Sequence, residues 1–578
     1  MDQDRARVGY RVTRVSARAG LVAASFGAAP VLFLGLFLVY PMTRILALGA
    51  APVVQAGWAG VLRISGDTGL PRLLAASALQ AVLSTVLTLV LGLPMAWVFS
   101  RFSFPGKSIL RTLLLIPFVL PTVVVGSAFV QLIGSGGLLE RLMVFLSGNP
   151  DADGNLTRTL PAVLLAHAFY NTAIVVRVVG GAWAGLDPRL GQAARTLGAG
   201  RFRSFARITL RLLAPSIAAS CILVFAFCFS SFGIVLMLGG PRMGTLETEI
   251  YRQAVSMFDL PAAACLCVVQ LLLTVVVMFG YARIQSRTSV VRNMRPGEST
   301  LHRPATAGEW VLVLTCGIAP AVGLLLPLAA LLFGSFQAQT GLTAAWWEAL
   351  FAGGGHSLFW VSPLRAAANS VFFALEAAAI SLALGVPAAY IIARGQASRR
   401  TIGSAGAAAL DLLFLVPLGT SAVTLGFGFI VSLNGPPFNL QGKAILIPVA
   451  HSLVALPLVI RSLLPALRAI NPRLRDAAAV LGAGPSSVRL RIDLPILRPS
   501  FIAAAAFAFT VSLGEFGATA MLTRPEQVTL PILIFDSLSR PGWSNQGQAL
   551  ALGSILMAAC GAGLAVIERV RIRGAVAF

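Results

Sequence analysis

Charge is what this sequence lacks most. Asp, Glu, Lys and Arg make up 11% of its 578 residues while 57% are apolar, against roughly 25% charged in a soluble domain. A soluble globular protein is excluded, and an integral membrane protein is expected. Acids are the scarcer sign, 21 against 44 basic residues, for a net charge of +23. On a soluble face that excess would point to nucleic acid. Here the basic residues fall between apolar runs of spanning length, so they report topology and nucleic acid is excluded as a partner. The four histidines, His167, His302, His356 and His451, are too scattered to form a metal site by spacing, and the sequence has no HExxH, paired carboxylates or nucleophile elbow. All six cysteines (Cys221, Cys228, Cys265, Cys267, Cys316, Cys560) sit inside apolar runs without CxxC spacing and read as small core residues. The one phosphate-loop candidate, Gly106-Lys107-Ser108, has Arg101 where a Walker A loop needs its first glycine. An enzyme, and an ATP-hydrolysing chain in particular, is not expected, and neither a metal nor a cofactor is expected on it.

Long apolar runs are what the sequence has instead. Twelve candidate spans lie at about 20–48, 73–100, 112–133, 161–185, 213–237, 260–281, 310–333, 368–392, 407–431, 444–464, 499–522 and 548–567. The expected fold class is therefore all-α, a polytopic bundle in membrane lipid. Arg5, Arg7, Arg11, Arg14 and Arg18 precede the first run, as in a signal peptide, but the run from Leu21 to Leu48 is too long for one, so it reads as an uncleaved span. The stretch 282–309, rich in Arg, Ser, Thr and Pro, reads as a linker. Arg and Lys placement puts both termini, the linker and the most basic loops in the cytoplasm. The outer loops carry most of the loop acids and Trp58, Trp346, Trp347, Trp360 and Trp543, which read as interfacial anchors.

The chain contains itself twice. Residues 187–200, DPRLGQAARTLGAG, recur at 471–484 as NPRLRDAAAVLGAG, an offset of 284 residues. Each copy opens on a helix-start signal, Asp187-Pro188 or Asn471-Pro472, and closes on glycines, Gly198 and Gly200 or Gly482 and Gly484. A short helix ending in a sharp bend is expected in both. The same offset pairs AHAFYNTAIVVR at 166–177 with AHSLVALPLVIR at 450–461, SFG at 231–233 with EFG at 515–517, and Thr245-Leu246 with Thr529-Leu530. Earlier, GLPMAW at 92–97 matches GVPAAY at 385–390 and Ile116-Pro117 matches Val416-Pro417, with offsets that drift through loop insertions. An even number of spans in each half makes the repeat parallel.

The repeated loop resembles the EAA loop of permease subunits of binding-protein-dependent ABC importers: Ala-Ala, then Gly, then an Ile-x-Leu-Pro tail. The second copy fits through Ile492-Asp493-Leu494-Pro495; the first has Gln192 in the acidic position and Arg211 where proline is usual. The resemblance covers nearly the whole chain in the pattern of permeases whose two subunits are fused. It implies a cytoplasmic segment 1–19, a first permease domain 20–285 with coupling loop 187–211, a linker 286–309 and a second permease domain 310–578 with coupling loop 471–495. It further implies that Gln192, Ala193, Ala194 and Gly198, and Asp476, Ala477, Ala478 and Gly482, dock on two copies of a cytoplasmic ABC ATPase subunit that binds ATP and Mg. An extracytoplasmic solute-binding protein would deliver the nutrient, and the chain would reside in a bacterial plasma (inner) membrane. The stretch 228–253 looks like thiamine importer permeases, and fused permeases of this size include ferric-iron importers. Thiamine and ferric iron are the favoured solutes.

Few ionisable groups fall inside spans: Arg177, Glu376, Asp411, Arg461 and Glu515. Each costs roughly 2.5–3.5 kcal/mol at the bilayer centre unless it finds water, a partner or the interface. The arginines and Asp411 lie toward span ends. Glu515 reads as mid-span between Gly514 and Gly517, and with Ser230, Ser231 and Ser512 it is a candidate for the solute pathway; the alternative is a carboxylate satisfied by neighbouring helices. The rival class is an ion-gradient-driven secondary transporter of twelve spans. It calls for facing acids in both halves, yet Glu515 aligns with Ser231 and Glu376 with Leu83. The topology has a direct test: in a cysteine-free background, a cysteine at Ser487 is expected to resist an impermeant thiol reagent in intact cells and one at Thr157 to react. Labelling of Ser487 from outside would reverse the orientation.

Overall fold

The computed structural model describes residues 28–147, 155–240, 243–288, 301–338, 341–351, 361–397, 401–436, 438–440 and 442–573. The basic segment 1–19, residues 289–300 of the linker, Pro241 and Trp360 lie outside the described residues. Among the described residues eleven helices are long and apolar enough to cross a membrane, and the only strands are the two-residue pair Gln337–Ala338 and Gly341–Leu342. The fold is all-α. In chain order we use α1 (Ala28–Pro52), α2 (Leu70–Arg101), α3 (Thr122–Ile133), α4 (Leu138–Ser147), α5 (Leu160–Ala184), α6 (Pro188–Thr196), α7 (Leu210–Phe229), α8 (Gly233–Leu238), α9 (Leu246–Tyr251) and α10 (Leu260–Thr288). There follow α11 (Ala307–Gly334), α12 (Pro363–Ala397), α13 (Ala422–Leu433), α14 (Leu446–Ala469), α15 (Pro472–Val480), α16 (Leu494–Leu513), α17 (Gly517–Leu522), α18 (Leu530–Ser539) and α19 (Trp543–Arg573).

The difference from twelve continuous runs has a repeated cause. The run 407–431 is cut into helices Thr401–Leu413, Val416–Gly419 and α13, with Thr420 extended (φ −89°, ψ 131°) between the last two. The first half breaks likewise, into Lys107–Leu113, Ile116–Val119 and α3, with Leu120 extended (φ −68°, ψ 145°). Pro117 and Pro417 each sit one residue into the middle piece, where proline starts a turn but cannot continue the preceding ladder. The basic PGKS turn is a clasp in the structure. Lys107 Nζ donates to the Phe102 carbonyl at 2.6 Å, and burial, helped by Arg111, lowers its pKa to about 8.

By contacts the chain divides into two compact units: Ile45–Ser370 with Gly514–Gly561, and Met1–Arg44, Val371–Leu513 with Ala562–Phe578. This partition differs from the repeat, because each unit takes segments from both halves. In the first unit α5 lies along α2, and α7 packs on both. In the second, α14 packs on α16. Close approach is made by glycine. A Cβ on Gly92 of α2 would stand 2.7 Å from Val175 Cβ of α5, and one on Gly385 of α12 2.7 Å from Val459 Cγ1 of α14. The repeat pairs Gly92 with Gly385 and Val175 with Val459, so one small-residue contact serves both halves, as expected where lipid supplies no hydrophobic drive between helices.

Valine is stiff at χ1 and cannot swing aside. Gly92→Leu and Gly385→Leu are each expected to cost about 1–3 kcal/mol of stability through overpacking, read as a lower Tm of the detergent-solubilised chain. Val175→Ala and Val459→Ala should restore part of the loss in their own half only; an unchanged Tm in either single variant would remove the contact from the account.

Candidate functional site

The spans that follow the repeated loops both stop inside the bundle. α7 ends at Phe229 and α8 begins at Gly233; α16 ends at Leu513 and α17 begins at Gly517. The intervening residues, Ser230-Ser231-Phe232 and Gly514-Glu515-Phe516, are the repeat-paired stretches that contain three of the four candidate pathway residues. Glu515 is therefore not within a continuous helix, which corrects its mid-span placement. Its carboxylate accepts from Ala518 N at 2.8 Å, Thr519 N at 3.0 Å and Thr519 Oγ1 at 2.8 Å, and so closes the open N-terminal end of α17. Ser230 turns back onto its own helix, donating to Ala226 O at 2.9 Å. Ser231 and Ser512 meet the two repeat-paired histidines: His167 Nε2 lies 2.8 Å from Ser231 Oγ and its Nδ1 2.9 Å from Ser84 Oγ, while His451 Nδ1 lies 2.8 Å from Ser512 Oγ. The structure thus does not gather the four candidates into one cluster. It uses them to satisfy broken helix ends and buried imidazoles.

What meets at the breaks is aromatic. Phe232 and Phe516, paired by the repeat, stack on each other with ring centroids 5.5 Å apart and 19° between planes. Tyr251 flanks Phe232 at 5.2 Å and Phe535 flanks Phe516 at 5.3 Å, and these two are again 284 positions apart. Gly233 and Gly514 let the chain in: a Cβ on Gly514 would stand 2.8 Å from Pro121 Cγ, and one on Gly233 3.1 Å from a Phe516 ring carbon. Helices α9 and α18 are hung alike, with Leu246 N donating to Ser77 Oγ at 3.0 Å and Leu530 N to Ser370 Oγ at 2.8 Å.

The repeated loops form the expected short helices. Asp187 caps α6 by accepting from Arg189 N at 2.9 Å, and Asn471 caps α15 by accepting from Arg473 N at 3.0 Å. Both helices end in a left-handed glycine, Gly198 at φ +85° and Gly482 at φ +81°. Ala199 N then reaches back to Ala194 O at 3.0 Å and Ala483 N to Ala478 O at 2.9 Å. Gln192 and Ala193, like Asp476 and Ala477, are exposed, and Ala194 and Ala478 are half-buried. Each loop tip also leaves large apolar side chains in the open: Leu197 is 89% exposed, Val480 86% and Leu481 87%. Such side chains with polar neighbours are what a protein docking surface presents.

Comparison with known proteins agrees with this arrangement. Residues 88–290 match the family described as binding-protein-dependent transport system inner membrane component. The sulfate transport system permease protein CysT of Escherichia coli (strain K12) is 30% identical over 259 residues, 44% of this chain and 90% of that protein. The chain belongs to that family. The thiamine transport system permease protein ThiP of Brucella suis biovar 1 (strain 1330) is 27% identical over 509 residues, covering 85% of this chain and 87% of its own. The ferric transport system permease protein FbpB of Actinobacillus pleuropneumoniae is 23% identical over 503 residues, 86% of this chain and 71% of its own. As a family member the chain is a multi-pass inner-membrane permease component of an ABC importer, a transport subunit and not an enzyme. An ATPase and a binding protein are the partners the family implies.

Several residues important to this permease were not singled out by the sequence. The aromatic quartet was detectable, since the offset of 284 pairs all four of its members. Asp411 and Arg461, taken separately as groups near span ends, form one ion pair at 3.3 Å. Glu247, which lies between the apolar runs, is in α9, is fully buried and accepts a hydrogen bond from the Gln270 amide. Its signal was the TLET sequence, a capping box that Thr245 and Thr248 complete.

The capping geometry of Glu515 gives a prediction. An amide offers one acceptor where the carboxylate offers two, so Glu515→Gln is expected to lose at least one bond to α17 and to cost about 1–3 kcal/mol. Thermal unfolding of the purified permease measures this. Unchanged stability together with lost uptake would instead return the carboxylate to the solute pathway.

Proposed function

We propose that this permease carries a small organic cation of the thiamine kind into the cytoplasm, driven by two copies of an ABC ATPase that dock on the loops 187–211 and 471–495. The observation that carries the docking is the matched pair of exposed, rigidly capped helices with apolar tips, set in segments where the basic residues place the cytoplasm. ATP and Mg belong to the ATPase subunits. In this reading the solute arrives from an extracytoplasmic binding protein and passes along the junction of the two halves, where the Phe232–Phe516 stack closes the route. The twelve-span secondary transporter is not favoured.

The solute class draws on two supports. The match to the thiamine permease spans both chains almost end to end, and the faces of Phe232, Phe516, Tyr251 and Phe535 suit a planar cation through stacking and cation–π attraction. A hydrated ferric ion has less to gain from aromatic faces. Vesicles containing the permease, its ATPase and its binding protein should accumulate labelled thiamine with ATP and not without it. Accumulation of ferric iron in place of thiamine would overturn the solute assignment, and gradient-driven uptake without any ATPase would overturn the mechanism.

The two loops should not contribute equally. Asp476 offers a charge to the docking surface and Gln192 only a neutral amide; close charge pairs across interfaces show coupling energies of about 1.5 kcal/mol and more. Asp476→Ala is therefore expected to weaken ATPase capture about tenfold and Gln192→Ala a few-fold at most, measured by titrating ATPase onto the immobilised permease. Equal losses would mean that both loops dock by shape.

A further inference from the structure

The second loop is tied to its own membrane helices by a device that the first loop lacks. Arg475, on α15, donates from Nε to Asp493 Oδ1 at 2.9 Å, and the Tyr390 hydroxyl of α12 donates to Asp493 Oδ2 at 3.2 Å. Asp493 is 2% exposed. The guanidiniums of Arg394 and Arg489 lie over the Tyr390 ring, 4.6 and 5.7 Å from its centroid. Asp493 closes a π-helical turn, Arg489–Asp493, in which Leu494 N bonds to Arg489 O. The first half has the same turn at the same place, Phe205–Thr209, with Leu210 N bonding to Phe205 O, but the side chains that make the contacts differ. Gly191 stands for Arg475, Thr209 for Asp493, Trp97 for Tyr390 and Phe205 for Arg489. There the loop is held by Ser204 Oγ donating to Gly191 O at 3.4 Å and by Trp183 stacked on Phe205 at 6.1 Å.

We propose that Arg475, Asp493 and Tyr390 form a positioning clamp that fixes the second coupling helix to the membrane helices, leaving the first coupling helix as the compliant arm. A buried carboxylate in membrane surroundings needs its partners, so the clamp has one low-energy geometry. It also draws the Arg475 charge inward and leaves the adjacent Asp476 as the outward-facing acid of α15, beside the exposed Arg473. A fixed helix transmits displacement between ATPase and spans without slack; a compliant one adjusts to the ATPase after the other has docked. This rests on the docking reading above, and its test separates the two.

The decisive variant replaces the clamp by the first half's residues, Arg475→Gly with Asp493→Thr, which removes both charges together and strands neither. In a cysteine-free permease, nitroxide labels on Val480→Cys and on the repeat-equivalent Thr196→Cys report helix mobility. The label at 480 is expected to be the less mobile, and the double variant should raise its mobility to that at 196 while leaving 196 unchanged. The half-saturating ATPase concentration should rise at least fivefold. Tyr390→Phe, which keeps the ring and removes one hydrogen bond, should move both readouts the same way by a smaller factor, and it decides the matter should the double variant not fold. Unchanged mobility at 480 in the variant that folds overturns the clamp. Intact mobility differences with no capture of ATPase by the unsubstituted permease overturn the docking reading and leave the clamp standing.

Discussion

A helix that stops within an apolar run leaves backbone groups that need partners, and each half of this permease has such a stop at an equivalent place. At the second break Glu515 covers the N–H groups of α17 with both carboxylate oxygens. The glycines beside the breaks admit neighbouring chain so closely that a side chain would clash. Once the ends are satisfied, the residue between each pair of helices is free to turn toward the other half. Duplication then brings like to like, and Phe232 meets Phe516. The stack follows from the breaks, because an unbroken helix would carry those rings around its own axis.

Much of this was legible in the sequence, for reasons that differ from site to site. Asp187-Pro188 and Asn471-Pro472 specify helix starts through local chemistry alone, and Gly198 and Gly482 supply the positive φ that ends each helix, so α6 and α15 could be read without tertiary knowledge. The spans were legible because lipid demands length and apolarity from each segment independently. Glu515 was misplaced because an apolar run carries no sign of a break that tertiary packing creates. The pairing of Asp411 with Arg461 was hidden because it joins residues fifty apart in sequence, on separate helices.

The repeat is the reason more could have been read. A duplicated chain states its structural requirements twice, and positions that agree across the copies are those the fold needs in both. Gly92 with Gly385, Val175 with Val459 and Ser77 with Ser370 agree, and each proves to be a contact. Where the copies disagree, the structure shows local solutions. Glu515 stands against Ser231, and each satisfies a different neighbour: one its own helix end, the other an imidazole.

That logic bears on why a fused permease keeps two unlike loops. If the ATPase subunits are identical, as the docking reading has it, their two sockets have one shape, and equal loops would be the simplest match. The chain instead holds one loop by an ion pair to a buried carboxylate, Asp493, and the other by stacked aromatic rings. A buried ion pair is a poor source of stability, since apolar replacement is often neutral or better, but it tolerates little change in geometry. Stacked rings allow sliding at small cost. Fusion fixes which half receives which device, a freedom that a permease made of two identical subunits does not have.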